Sequence, residues 1–416
     1  MKCIVHIGTE KTATTTLQSF FNINRKKLYK NKCIYTKSAG NINNKKLTVA
    51  AYNLDRRDHL TRKLGVYTNQ ELQNLQTKII TNLKQELSEL VSPKISKIVF
   101  SSEHIQSRLT TVEEVKRLKT ILNDLGFDDI SILIYLREPA YIANSSYSTS
   151  IKSGSTIASP PPPTDNYYNN ICNHKNTLKL FASVFGESSI IPRIFERNEL
   201  INGSIIDDFL STIELPNLKG YQLPTNRNES LSMTGIEILR RFNQKIPHFI
   251  DSKVNPLRGD IVQYIQKHYA DEKYVMSNEL FKQYHDAFQA SNEWVRKKYF
   301  PEKKSLFSPK PCPNETNLDI SETQLDLLAN LIVNIWQDKQ RKIINLKNKQ
   351  KVKAKLNPPK KLEKKQDLEH RQQISSKKEV EQNLTTDLPK IPEKQLNLKG
   401  FMFRLRSIIT SKSNIL

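Results

Sequence analysis

The chain has 416 residues, 37% of them apolar and 26% charged, and a formal net charge of +23 from 65 Lys and Arg against 42 Asp and Glu. That length holds one large domain, or a domain with an appendage, and the composition leaves room for a globular core. Four scattered cysteines (Cys3, Cys33, Cys172, Cys312) without CxxC or CxH spacing argue against a disulfide scaffold or a zinc site, and no run of 18 apolar residues offers a membrane span. The expectation is a cytoplasmic protein with reduced thiols. Its charge is uneven: from Arg341 onward 20 basic residues face 7 acidic ones, a net of +13, and the remaining +10 belongs to the body. A moderately basic body suits an anionic substrate and a strongly basic tail suits a polyanion or an acidic surface.

In chain order, the apolar run Lys2–Ile7 reads as a strand that meets Gly8 at once rather than as a secretory leader. Gly8-Thr9-Glu10-Lys11-Thr12-Ala13-Thr14-Thr15-Thr16 then opens a helix predicted over Thr14–Asn24. Free N–H groups and the positive dipole end of that helix, one lysine and several hydroxyls would converge there, which is chemistry for a phosphate or sulfate. It is not a Walker A loop, because Lys11 follows Glu10 and Gly8 lies only three residues back. A strand follows at Cys33–Thr36, then a stretch rich in Asn, Lys and Arg, residues 41–64, that includes His59. A helix is expected over Gln70–Leu90 and a third strand over Lys97–Ser101, ending in Ser102-Glu103-His104.

Another helix, Val112–Leu125, leads to the fourth strand, Ile130–Leu136, which ends in Arg137-Glu138-Pro139. Proline suits the first turn of the next helix, predicted over Ala140–Lys152, and Ser145 then lies about two turns on from the strand end. An arginine fork beside a hydroxyl is a receptor for a monoester phosphate. The loop from Ile151 to Tyr168, with Pro160 to Pro163 in succession, reads as a candidate lid. A helix over Asn176–Phe185 and a strand over Ser189–Phe195 complete an alternating β/α pattern, the signature of a parallel sheet whose carboxyl-terminal edge binds ligands. Beyond Leu200 the pattern is helical, at Ile205–Ser211, Thr234–Asn243, Leu257–Ala270, Asn278–Phe300 and Glu322–Asn345.

These motifs together resemble the PAPS-dependent sulfotransferases, in particular the bacterial, carbohydrate-type branch. Lys11, Thr12, Thr14 and Thr15 match the loop written roughly K[ST]GTT that holds the 5′-phosphosulfate of 3′-phosphoadenosine 5′-phosphosulfate (PAPS), with Ala13 in place of the usual glycine. Arg137, Pro139, Ser145 and Tyr147 fall on the R-x-P-x5-S-x-Y pattern that binds the 3′-phosphate. The resemblance covers about residues 1–344 and extends to Pro192–Arg197, Asn226–Ser232 and Asn292–Pro301. It implies a P-loop-NTPase-like parallel sheet flanked by helices, with a helical second half. It also implies PAPS as sulfuryl donor, held by Lys11, Thr12, Ala13, Thr14, Thr15, Thr16, Arg137 and Ser145, and an acceptor hydroxyl on a glycan. No metal is expected. Arg227, Asn228 and Ser230 stand in for a basic, glycine-rich segment that touches the 3′-phosphate in cytosolic relatives and is missing here. Glu103 is the expected base, with His104 as its competitor and Ser102 behind it, because strand alternation turns neighbours to opposite faces. Lys11 would stabilise the leaving oxygen.

The chain thus divides into a sulfotransferase-like domain over residues 1–345, a basic low-complexity linker over 346–396 expected to be disordered, and a short basic amphipathic helix over 397–416. Phe401, Leu405, Ile408 and Ile409 at helical spacing, with Lys399, Arg404, Arg406 and Lys412 among them, suit an anionic membrane surface, a partner, or the protein's own core. A nucleotide kinase on a similar sheet, and a non-catalytic basic protein binding membranes or polyanions, are the competing readings; nucleic acid is not an expected partner.

Overall fold

A computed structural model describes residues 1–215, 219–225, 230–251, 253–268, 273–309 and 322–356. Five strands, β1 (Lys2–His6), β2 (Cys33–Tyr35), β3 (Lys97–Ser101), β4 (Ile130–Leu136) and β5 (Ile190–Ile194), form a parallel sheet in the order β2-β3-β1-β4-β5. The parallel sheet flanked by helices is the architecture the alternating pattern predicts. Between β1 and β2 run α1 (Thr14–Ile23) and α2 (Arg25–Lys30). Between β2 and β3 come α3 (Lys45–Ala50), α4 (His59–Lys63) and α5 (Asn69–Leu90); between β3 and β4, α6 (Glu103–Arg108) and α7 (Val112–Asp124). Then α8 (Pro139–Lys152), α9 (Asn166–Cys172) and α10 (His174–Phe185) precede β5. Beyond the sheet lie α11 (Ile205–Thr212), α12 (Met233–Lys245), a small antiparallel hairpin of β6 (Phe249–Ile250) and β7 (Lys253–Val254), α13 (Ile261–His268), α14 (Asn278–Tyr299) and α15 (Glu322–Leu356).

Both faces of the sheet are covered, so its strands read as continuous apolar runs. On one face Val5, Phe100, Ile132 and Ile134 pack with α5, α7 and α10; on the other Ile4, Val99, Leu133 and Tyr135 pack with α1 and α11. Fully burying each such side chain contributes about 1.5–3 kcal/mol. A polar tie supplements the second layer: the Tyr135 hydroxyl donates to Asp208 Oδ2 at 2.8 Å, and Arg193 of β5 pairs with the same fully buried carboxylate. Central β1 registers His6 against both Ser101 and Leu133, placing the ends of β3, β1 and β4 side by side.

Three expectations change. Short helices α2, α3, α4, α6 and α9, five to seven residues each, are too brief for a periodicity to show and escaped the sequence reading. Helix α15 continues through Leu356, into residues expected to be a disordered linker. Its Lys, Gln and Ala residues are good helix formers, and no Gly or Pro interrupts them before Pro358. The proline-rich loop is pinned, not a free lid: its carbonyls at Ile157 and Ala158 accept from Tyr147, Pro161 accepts from Tyr284, and Ser155 accepts from Asn243. Residues 1–347 form one compact unit. The expected amphipathic helix over 397–416, and the linker beyond Leu356, lie outside the described residues. No helix among the described residues is long and apolar enough to cross a membrane.

Candidate active site

The turn after β1 is built by backbone strain and its own hydrogen bonds. Gly8 adopts φ +106°, and a Cβ there would lie 3.0 Å from Glu103 Cα, so only glycine lets β1 end against the start of α6. Lys11 and Ala13 also sit in the left-handed region, at φ 66° and 55°. The position where the resemblance expects glycine thus requires a positive φ, which alanine occupies at a cost of about 1 kcal/mol. Ala13 is the N-cap of α1; its carbonyl accepts from the N–H groups of Thr16 and Leu17, whereas those of Thr14 and Thr15 have no earlier carbonyl in the helix to bond. Thr12 departs from its expected role. It is buried, its hydroxyl donates to Thr9 O at 2.6 Å, and it braces the turn instead of lining the cleft.

A cleft of about 390 Å³ opens at this edge, lined by Lys11, Ala13, Thr14, Thr15, Thr16, Glu103, Arg137, Ser145 and Ser230, with Glu10, Ser148, Thr149 and Lys152. The expected phosphate loop, strand-end glutamate and arginine–serine pair therefore share one cavity. Lys11 Nζ donates to Thr149 Oγ1 at 2.6 Å. Burial lowers its pKa; the charges of Glu10 and Glu103 pull the other way, and Arg137 adds to the lowering. Arg137 Nη1 donates to Lys11 O at 2.7 Å and to Ser145 Oγ at 3.2 Å, tying the two expected phosphate receptors together. Its other guanidinium nitrogens donate to no acceptor among the described residues. Tyr147, matched by the same pattern, is fully buried and turned away to hold the proline-rich loop. Ser230 reaches the cleft because Ser148 Oγ accepts from the neighbouring Leu231 N–H at 3.2 Å. Arg227 and Asn228 lie outside the described residues.

Glu103 begins α6 and is not the last residue of a strand. The strand-alternation argument separating it from His104 therefore does not apply; a helical step of about 100° does. His104 is absent from the cleft lining, and its charge bears instead on Glu10. Ser102 is buried with an unpartnered hydroxyl and makes no bond to Glu103. The residues that hold Glu103 are others: Gln18 Nε2 and Asn43 Nδ2 both donate to its Oε2, at 2.7 and 2.9 Å. Its Oε1 accepts no hydrogen bond among the described residues and the carboxylate faces the cleft. Gln18 is buried on α1 and Asn43 lies far away in sequence, so no local motif pointed to either.

Two further supports went unread in the sequence. Burial pushes His174 down to about 4, so it is neutral near pH 7, and its Nε2 donates to Arg137 O at 2.7 Å, fixing the backbone of the arginine. Glu10 is a second carboxylate of the cleft besides Glu103, set among Lys11, Arg137 and Lys152. Burial by itself would raise its pKa, yet the Tyr167 hydroxyl at 2.6 Å, Lys11, Ser107 and His104 together hold it below the usual range. It stays charged and offsets part of the field of Lys11.

No protein-family profile matches this sequence, and neither does any curated protein. Among solved structures, a sulfotransferase from Alicyclobacillus acidocaldarius is similar at 14% sequence identity and a TM-score of 0.34, over 55% of this chain and 87% of that one.

Proposed function

We propose that the chain is a sulfotransferase that moves the sulfuryl group of PAPS onto an acceptor hydroxyl of a carbohydrate, with Glu103 as the base. The observation that carries this reading is the meeting of two separate anion receptors and one oriented carboxylate in a single cleft. The cleft volume lies within the roughly 300–1,000 Å³ range of small-molecule sites.

The donor supplies an activated sulfuryl group between two phosphate-bearing ends. Lys11, with the N–H groups of Thr14 and Thr15, binds the phosphosulfate end, and Arg137 with Ser145 binds the 3′-phosphate. Lys11 keeps positive charge beside the oxygen that gains charge on departure. Gln18 and Asn43 fix Oε2 of Glu103, leaving Oε1 to accept the proton of the attacking hydroxyl. Glu10, which accepts the Tyr167 hydroxyl, opposes the lowering of the Lys11 pKa by burial.

The test is calorimetric binding of adenosine 3′,5′-bisphosphate, with ATP and AMP as controls. The bisphosphate is expected to bind, AMP to bind at least about tenfold more weakly, and Arg137→Ala to weaken the bisphosphate by about 2–3 kcal/mol. Preference for ATP with magnesium would sink the reading in favour of a kinase.

A further inference from the structure

Next to the cleft, on the side of Glu103 held by Asn43, lies a group of cations outside the lining that holds the proposed donor. From Glu103 the contact passes to Asn43, and two residues later α3 begins with Lys45. Lys45 is near enough to Lys63 of α4 for its charge to lower the pKa of that lysine, an effect second to partial burial. His59, the first residue of α4, lies edge-on to Phe249 of the β6–β7 hairpin at 5.9 Å between ring centroids, and Phe249 lies 4.5 Å from His248. His248 in turn packs on Gly154, where φ is +105° and an added Cβ would come within 2.5 Å of its Cβ. Two residues before Gly154, Lys152 lines the cleft. The path thus leaves the expected base and returns to the cleft.

Beyond Glu103 the charged side chains named along this path, Lys45, Lys63 and Lys152, are all cationic. Lys45, Arg62 and Lys63 form no ion pair among the described residues. The nearby carboxylate, Asp58, is already engaged: it sits 3.8 Å from Arg108, accepts the Tyr52 hydroxyl at 2.7 Å, and caps α4 through the N–H groups of Leu60 and Thr61. Both histidines register the field. His59 is lowered by burial and then by Lys63, Arg62 and Arg108, with Asp58 opposing, and His248 is lowered by burial, Arg258 and Lys63. Like charges held together without a counter-ion cost free energy that an anionic ligand would recover. Phe249, 36% exposed, adds an apolar face against which the C–H face of a sugar ring can lie.

We infer that the acceptor is an anionic oligosaccharide, bearing carboxylate or sulfate groups that Lys45, Arg62 and Lys63 receive while its target hydroxyl meets Glu103. This deepens the sulfuryl-transfer reading and rests on it. Sugar binding is measured without turnover on the full chain, with and without adenosine 3′,5′-bisphosphate. The probes are an oligouronate, a sulfated oligosaccharide and an uncharged oligosaccharide of equal length. At about 50 mM salt at least one charged sugar is expected to bind about tenfold or more tighter than the uncharged one, with the gap closing as salt rises. Which charged sugar binds assigns the carboxylate or the sulfate. Reversing the charge with Lys45→Glu and Lys63→Glu together should remove the preference while the variant still binds the nucleotide. Equal affinities for charged and uncharged sugars, or a preference that survives the reversal, overturn the inference, the second by placing anion binding elsewhere, as on the basic tail. A wild-type chain that prefers charged sugars but binds no nucleotide removes the donor reading, and the acceptor assignment with it. Nucleotide binding without a charge preference removes this inference alone.

Discussion

At Glu103, which lines the cleft, two neutral amides, from Gln18 and Asn43, hold one carboxylate oxygen, and the other accepts no hydrogen bond among the described residues. In the proposed reaction a group so held acts on the proton and not on the nucleotide. Glu103→Gln is therefore expected to lower turnover by about 10²–10⁴-fold while changing nucleotide affinity little, as single-turnover kinetics alongside calorimetry would show. Comparable loss of affinity would make Glu103 a nucleotide-binding residue instead. Ala13 offers an independent check on the loop geometry. Its left-handed φ of 55° favours glycine, so Ala13→Gly is expected to stabilise the fold by about 1 kcal/mol in chemical denaturation, less the chain entropy that glycine adds. A clear loss of stability would mean that the loop is not strained there.

At the scale of elements, the layer over one face of the sheet depends on Asp208. It links α11 to β4 through the Tyr135 hydroxyl and to β5 through Arg193, all beneath the apolar contacts of Phe209 and Leu210. Removing the carboxylate leaves a buried hydroxyl and a half-buried guanidinium without their acceptor. Asp208→Ala is expected to cost about 2–3 kcal/mol, measured as a shift of the urea midpoint at unchanged slope. A shift near zero would mean that the apolar layer alone holds α11. The β1 turn and helix α8 are joined differently, by Arg137 to Lys11 O and Lys11 to Thr149, so the proposed donor site is held by contacts between elements that each start at a strand end.

Over the whole molecule, every residue lining the cleft lies between Glu10 and Ser230, far in sequence from the basic tail. A chain ending at Leu356 is therefore expected to bind adenosine 3′,5′-bisphosphate within about twofold of the full chain. A larger loss would make the tail part of the nucleotide site. Much was legible in advance, because it rests on local patterns: apolar runs that set five parallel strands, the hydroxyl-rich turn after β1, and the Arg137–Ser145 spacing of two helical turns. What stayed hidden depends on partners brought together from afar. Gln18 and Asn43 on Glu103, His174 beneath Arg137 and Tyr167 against Glu10 belong to no shared motif, since each pair meets only through the crossing of separate strands and helices. The sequence by itself determined the order of the five strands and the longer helices, and the residues that stand at their ends, because periodicity and turn chemistry act over a few residues. Only the tertiary structure decided which oxygen of Glu103 is held, that Thr12 and Tyr147 brace instead of facing the cleft, and that Lys45 of α3 comes near Lys63 of α4. Those outcomes follow from packing between residues distant in the chain.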